Sequence, residues 1–221
     1  MSKQFIFLAG LPRSGSTLFT SILNQNPNIF ASSSSPVCNM LYWSSELYKV
    51  GKAIEANPNP KAVQAVLSSI IPSFYSTRPE PIIIDKGFSW GTPENLAVLT
   101  NALGYTPKFI VMDRPFPEIK NSYKKLLSKS PNFHGDIEKE HLELPIISHE
   151  NLINNYSKHC FVVSYDRLCK DTSNLLIEFY NFIEQPYFQH DLLHIVNTCT
   201  DDDGVWGLTD MHKIKPTIEV R

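Results

Sequence analysis

The sequence predicts an α/β fold of three layers, a central parallel sheet of about five strands with helices on both faces. Three observations predict it. Five short runs rich in apolar, β-favouring residues are spread along the chain, most of them continuous rather than alternating, as in strands buried on both faces. Helical periodicities fill the intervals, and strand–helix alternation builds parallel sheets. The first run leads at once into a glycine-bounded loop that opens onto a helix.

In chain order the strands are expected at Gln4–Ala9, Asn28–Ala31, Pro81–Asp85, Lys108–Met112 and Cys160–Ser164, each bounded by turn residues. The first helix, Ser14–Gln25, follows the loop. Val37–Tyr48 places Val37, Met40, Leu41, Ser44 and Leu47 near one face. Pro60–Phe74 repeats Val63, Val66, Leu67 and Ile70, with Pro60 at a start position. Thr92-Pro93 caps Glu94–Leu103, Pro115–Leu127 follows the fourth strand, and Asp171 or Thr172 caps Thr172–Phe182. The polar, poorly periodic stretch Ser128–His149 reads as a surface excursion or lid, and Cys199–Arg221 is too irregular for a core helix.

With 221 residues the chain is read as one domain, 1–221. Its net charge of −2 supplies no global basic field for nucleic acid, so a polyanionic ligand needs locally placed cations. The four cysteines (Cys38, Cys160, Cys169, Cys199) lie far apart, a spacing that argues against a zinc site or a disulfide scaffold. No stretch reaches a membrane-spanning length, and the apolar start is too short for a signal peptide, so a cytoplasmic protein without membrane association is expected.

The chemistry is concentrated in Gly10-Leu-Pro-Arg-Ser-Gly-Ser-Thr17. Backbone amides of such a loop point inward, and the following helix turns its positive dipole end toward an anion. The spacing matches the nucleotide P-loop except that Ser16 stands where the triphosphate-binding Lys is usual. ATP is therefore disfavoured, while a nucleotide with a shorter 5′ chain fits. Beyond the loop, Arg114 ends the fourth strand and Ser122 follows eight residues on, a forked cation and a neutral donor suited to a second phosphate. A surface pairing of Arg114 with Asp113 or Glu118 is the plain alternative. Asp85-Lys86-Gly87 brings Lys86 just after the third strand, and Tyr165 follows the fifth. Arg13, Lys86, Arg114 and Tyr165 thus all fall beyond carboxyl ends of strands, where parallel sheets bind ligands.

Pro12-Arg-Ser-Gly-Ser-Thr-Leu18 resembles the 5′-phosphosulfate loop of sulfotransferases, P-[KR]-[SA]-G-[ST]-[TS]-[LW], and the motifs are nearest those of the tyrosylprotein and bacterial types. The resemblance implies a P-loop-like fold and 3′-phosphoadenosine-5′-phosphosulfate (PAPS) as sulfuryl donor, with adenosine 3′,5′-bisphosphate as product. It assigns Pro12, Arg13, Ser14, Gly15, Ser16, Thr17 and Leu18 to the 5′-phosphosulfate and Arg114 with Ser122 to the 3′-phosphate. Lys86, in a segment similar to an Asn-Lys-Asp of the tyrosylprotein branch, would stabilise the leaving phosphate, with Arg13 assisting and Asp85 as base or as orienter of Lys86. Ser164-Tyr-Asp-Arg-Leu168 resembles a Y-E-x-L segment that places Tyr165 by the adenine. Ile214-Lys-Pro216 resembles an I-K-P segment that would bring Lys215 to a phosphate, with Lys213 as alternate.

The resemblance covers Phe5–Ser35, Ile82–Tyr123, Cys160–Tyr187 and a few residues near Lys215, and it implies transfer to a hydroxyl or amine of a small-molecule, carbohydrate or peptide acceptor. One departure stands out. The tyrosylprotein branch carries a Glu just past strand two, where this chain reads Ala31-Ser-Ser-Ser-Ser35. Asp85, His134, His141, Glu46 and His212 are the candidate bases. No metal is called for, because side chains and helix dipole can meet the charge of PAPS. A P-loop small-molecule kinase and a catalytically degenerate nucleotide-binding module are the alternatives. Tyr42, Trp43, Phe88, Trp90 and Trp206 are candidates for either acceptor pocket or core. Oligomeric state is not legible.

Overall fold

The computed structural model describes residues 3–131 and 133–214. Five strands, β1 (Gln4–Gly10), β2 (Ile29–Ala31), β3 (Ile82–Lys86), β4 (Lys108–Asp113) and β5 (Cys160–Ser164), form one parallel sheet in the order β2-β3-β1-β4-β5. β1 is therefore central, with the carboxyl ends of β3 and β4 on either side of the loop that leaves it. The expected strands are all present, and no end differs by more than one residue.

Strand periodicity sorts the side chains onto two faces. Ile6 and Leu8 of β1, Ile82 and Ile84 of β3, and Ile110 and Met112 of β4 pack with Phe19, Ile22 and Leu23 of α1 (Ser16–Leu23). Their alternates Phe7, Ala9, Ile83, Phe109 and Val111 face the other layer. That layer is built from α2 (Val37–Val50), α4 (Pro60–Phe74) and α5 (Pro93–Leu103), the short α3 (Lys52–Ala56) following α2. A third, smaller cluster joins Leu11 to Ile119, Tyr123 and Leu126 of α6 (Phe116–Leu127) and to Leu142 and Leu208.

The helix signals worked where caps and proline coincide. Asn59 accepts the Ala62 amide at 3.1 Å with Pro60 as first helical residue, and Thr92 caps the Asn95 amide at 3.4 Å ahead of Pro93. α9 (Thr172–Phe182) begins as expected after Asp171, whose side chain bonds Asn174 rather than a backbone amide.

Two expectations need correcting. In α2 the buried face is Val37, Cys38, Leu41 and Ser45, whereas Met40, Trp43, Leu47 and Val50 are exposed. The stretch 128–149 is only partly an excursion. A π-turn at Glu138–Leu142 runs into α7 (Glu143–Asn155), whose Ser148 and Leu152 are fully buried against the second layer. Its weak amphipathicity and the Pro145 in its first turn, where proline is tolerated, hid it. Also unforeseen is α8 (Tyr165–Lys170), directly after β5.

Candidate active site

A cleft of about 950 Å³ opens over the carboxyl ends of β1, β3 and β4. Pro12, Arg13, Gly15, Ser16, Thr17 and Leu18 form its floor. Gly10 turns the chain out of β1 at φ 99°, and a Cβ there would sit 2.3 Å from the Met112 carbonyl oxygen. Arg13 also holds a positive φ of 59°, a conformation rarely kept by non-glycine residues without tertiary support. The support is visible: the Arg13 carbonyl accepts from the Arg114 guanidinium at 2.8 Å, and the Ser14 hydroxyl donates to the Leu11 carbonyl. Ser14 is fully buried by this bond, so among the loop residues it props the turn from behind and does not face the cleft.

Gly15, at φ 86°, is the cap position of α1, and no side chain caps the helix and no acid lies in its first turn. The first-turn amides and the dipole are thus left for an external anion.

Three of the cations that line the cleft stand closest to the predicted chemistry. The Arg13 guanidinium is largely buried, which pushes its pKa down from the usual arginine value, and it donates to Ser122 Oγ at 3.2 Å and to the Met211 carbonyl. Arg114 lies 4.0 Å over the Tyr165 ring and pairs with Glu118 at 3.0 Å. The plain alternative for Arg114 is therefore realised together with its place in the cleft. Gly15 is tied to the same corner, since a Cβ there would come within 2.8 Å of the Tyr165 side chain.

Lys86 is the third cation. It is 3 % exposed, and its ammonium makes no hydrogen bond among the described residues. Burial pushes its pKa down to about 8, against the opposing pull of Asp201 and Cys199. Its backbone amide is held by Ser32 Oγ at 2.8 Å.

Asp85 and Lys86 part company. Adjacent strand residues point to opposite faces, and Asp85 turns away from the cleft into the second layer. There its carboxylate accepts from Tyr75 Oη at 2.5 Å and Trp90 Nε1 at 2.7 Å, and it is fully buried. Burial raises its pKa, while hydrogen bonds from Ser35, Tyr75 and Trp90 oppose the rise. This geometry is that of a structural carboxylate, not of a base acting in the cleft or a partner of the Lys86 ammonium.

The other candidate bases separate in the same way. Glu46 is paired with Lys49 away from the cleft, and His134 is exposed outside it. His141 and His212 both line it. The His141 ring lies among Tyr123, Phe133 and Trp206 with centroids about 6 Å apart, and burial lowers its pKa below the usual 6.5. His212 Nδ1 meets Asp203 Oδ1 at 2.5 Å. Of the aromatic candidates, Phe88 and Trp206 line the cleft; Trp90 is core, and Tyr42 with Trp43 lies outside. Lys215 falls outside the described residues, while Lys213 lines the cleft and pairs with Asp210 at 3.5 Å. His141, Leu144 and Pro145, which form one wall, lie within the stretch 128–149 that the sequence offers as an excursion or lid.

No family model and no curated protein matches this chain. Solved structures do. The sulfotransferase domain from the curacin biosynthetic pathway superposes with TM-score 0.62 at 18 % identity, over 100 % of this chain and 88 % of that one. The sulfotransferase domain of the Synechococcus olefin synthase gives TM-score 0.58 at 19 % identity, covering 85 % and 76 %. A sulfotransferase from Alicyclobacillus acidocaldarius gives 0.55 at 14 %, covering 86 % and 85 %. The chain therefore has the α/β fold of these sulfotransferase domains. Among the described residues no helix is long and apolar enough to cross a membrane.

Proposed function

We propose that this protein is a sulfotransferase that uses PAPS and transfers its sulfuryl group in-line to a hydroxyl or amine acceptor. The observation that carries this reading is one cleft holding an uncapped helix N-terminus, a guanidinium and hydroxyl pair beside it, and, on its lining, a lysine ammonium that makes no hydrogen bond among the described residues. Burial pushes the pKa of this ammonium down, and an anion bound beside it in the cleft would stabilise its charged form. The donor set fits PAPS, and the cleft volume lies at the upper end of the roughly 300–1,000 Å³ usual for ligand sites.

PAPS would supply a sulfuryl group carried on a phosphate leaving group. The amides opening α1, the Ser16 and Thr17 hydroxyls and Arg13 hold the 5′ end. Arg114 and Ser122 take the 3′-phosphate, exchanging their present bonds to Glu118 and Arg13 for it. The Tyr165 ring offers a face for the base. Lys86 stabilises the charge that collects on the departing phosphate oxygen. His141, uncharged at neutral pH because burial lowers its pKa, accepts the acceptor's proton as the new oxygen–sulfur bond forms. The acceptor enters past Phe88 and Trp206.

Calorimetric titration tests this reading, with adenosine 3′,5′-bisphosphate set against adenosine 5′-phosphate and ATP·Mg²⁺. Selective binding of the bisphosphate is expected, followed by turnover of PAPS with a suitable acceptor. Preference for ATP·Mg²⁺ would replace the proposal with a kinase. Bisphosphate binding with no turnover across an acceptor screen would leave a degenerate nucleotide-binding module.

A further inference from the structure

The segment 199–212 forms one wall of the cleft, and its two ends meet. Cys199, Asp201 and His212 each present a ligand atom, all within 4.8 Å of one another. Asp201 Oδ2 and His212 Nε2 stand 3.5 Å apart. That is long for a hydrogen bond, and close to the roughly 3.3 Å edge between two ligands each about 2.0 Å from a tetrahedral ion. Both side chains are only 12 % exposed.

Each of these two ligands is already oriented by a neighbour. His212 Nδ1 is engaged by Asp203 Oδ1 at 2.5 Å, which fixes the tautomer that offers Nε2. Asp201 Oδ1 accepts from Ser33 Oγ at 2.7 Å, and Oδ2 is the oxygen that faces His212. A carboxylate behind a histidine, and a hydroxyl behind a carboxylate, are the supports metal ligands receive in built sites. A thiol, an imidazole and a carboxylate together select zinc over the hard cations, which prefer all-oxygen sets.

We propose that Cys199, Asp201 and His212 bind a zinc ion, with a fourth position open to water on the cleft side. The ion would staple both ends of the segment 199–212 to the loop after β2 through Ser33, closing the wall beside Lys86. It would also occupy Asp201, the group that pulls hardest on the Lys86 ammonium, and Cys199. The proposal stands apart from the sulfotransferase reading, and its test involves no turnover.

The test is titration of chelator-treated full-length protein with Co²⁺ alone, followed by absorbance. One equivalent is expected to give the intense visible bands of tetrahedral cobalt with a sulfur-to-cobalt charge-transfer band, all bleached by one equivalent of Zn²⁺. Cys199→Ser should abolish the charge-transfer band while Cys38, Cys160 and Cys169 remain. Asp203→Asn, which removes the charge behind His212, should lower affinity about 10–100-fold. Only the weak spectrum of octahedral cobalt, or a charge-transfer band that survives in Cys199→Ser, would overturn the site. Should Cys199→Ser fail to fold by circular dichroism, the cobalt spectrum of His212→Ala decides in its place, and a spectrum unchanged from that of the unaltered protein would also overturn it.

Discussion

Burial sets the Lys86 ammonium at about 8, so its charge is lost within the working range of most assays. The proposed role needs the protonated form. kcat/KM, which reports the free enzyme, is therefore expected to fall as pH rises through about 8, far below the ordinary lysine value of about 10.4. Lys86→Arg should move that limb out of range, because guanidinium does not deprotonate there. Lys86→Ala should lower kcat by about 10²–10³-fold with nucleotide affinity little changed. A limb that stays near 8 in Lys86→Arg would assign it to another group. The acid limb carries the opposite sign: His141 must be neutral, and its lowered pKa keeps it so to below pH 6.5. Arg114→Ala should weaken adenosine 3′,5′-bisphosphate far more than adenosine 5′-phosphate, and equal losses measured by calorimetry would remove Arg114 from the 3′-phosphate. Arg13, Lys86, Arg114 and Tyr165 were legible in the sequence because each lies at or within a few residues of a strand end that the pattern marks. His141 carried no such signal, since its place depends on a π-turn and on α7 packing against distant residues.

Among the elements, the β1–α1 loop and β3 carry the sharpest constraints. Gly10→Ala would place a methyl 2.3 Å from a β4 backbone oxygen at a φ that alanine resists, and a loss on the order of 3 kcal/mol in urea denaturation is expected. A loss under about 1 kcal/mol would mean that β4 yields more easily than its central place allows. On β3, Asp85→Ala would orphan the buried Trp90 indole N–H and leave the buried Tyr75 hydroxyl with only its 3.4 Å contact to Ser35 Oγ. With a buried orphan costing about 1–3 kcal/mol and the weakened Tyr75 bond adding to it, destabilisation of about 2–4 kcal/mol is expected, with bisphosphate affinity retained in the folded fraction. Selective loss of turnover at unchanged stability would return Asp85 to the chemistry. Strand parity could have separated Asp85 from Lys86 on sequence alone. It did not reveal Tyr75 and Trp90 as partners, because they come from the end of α4 and the loop after β3. The misassigned face of α2 has a similar origin: Met40 and Leu47 fit the helical period, but the layer beneath offers room only to Val37, Cys38 and Leu41.

On the scale of the whole molecule, the cleft exists because the loop after β1, the ends of β3 and β4, α8 and the wall at 199–214 converge on one rim of the sheet. A ligand bridging these parts should stabilise all of them together. Adenosine 3′,5′-bisphosphate at a hundredfold excess over its Kd contributes about 2.7 kcal/mol, which for a chain of this size is a rise in Tm of about 5–10 °C. Thermal scanning with adenosine 5′-phosphate as control checks it. An equal rise with both ligands would place the 3′-phosphate outside the cleft. The sequence by itself determined the parallel sheet, the phosphate-loop turn and the cations at strand ends, because short continuous apolar runs, turn residues and a helical period of 3.6 are written locally. Only the tertiary structure decided that Asp85 faces the core while Lys86 faces the cleft, that α7 supplies a wall, and that Cys199, Asp201 and His212 meet. Each of these is set by packing between segments far apart in the chain, which no local pattern records.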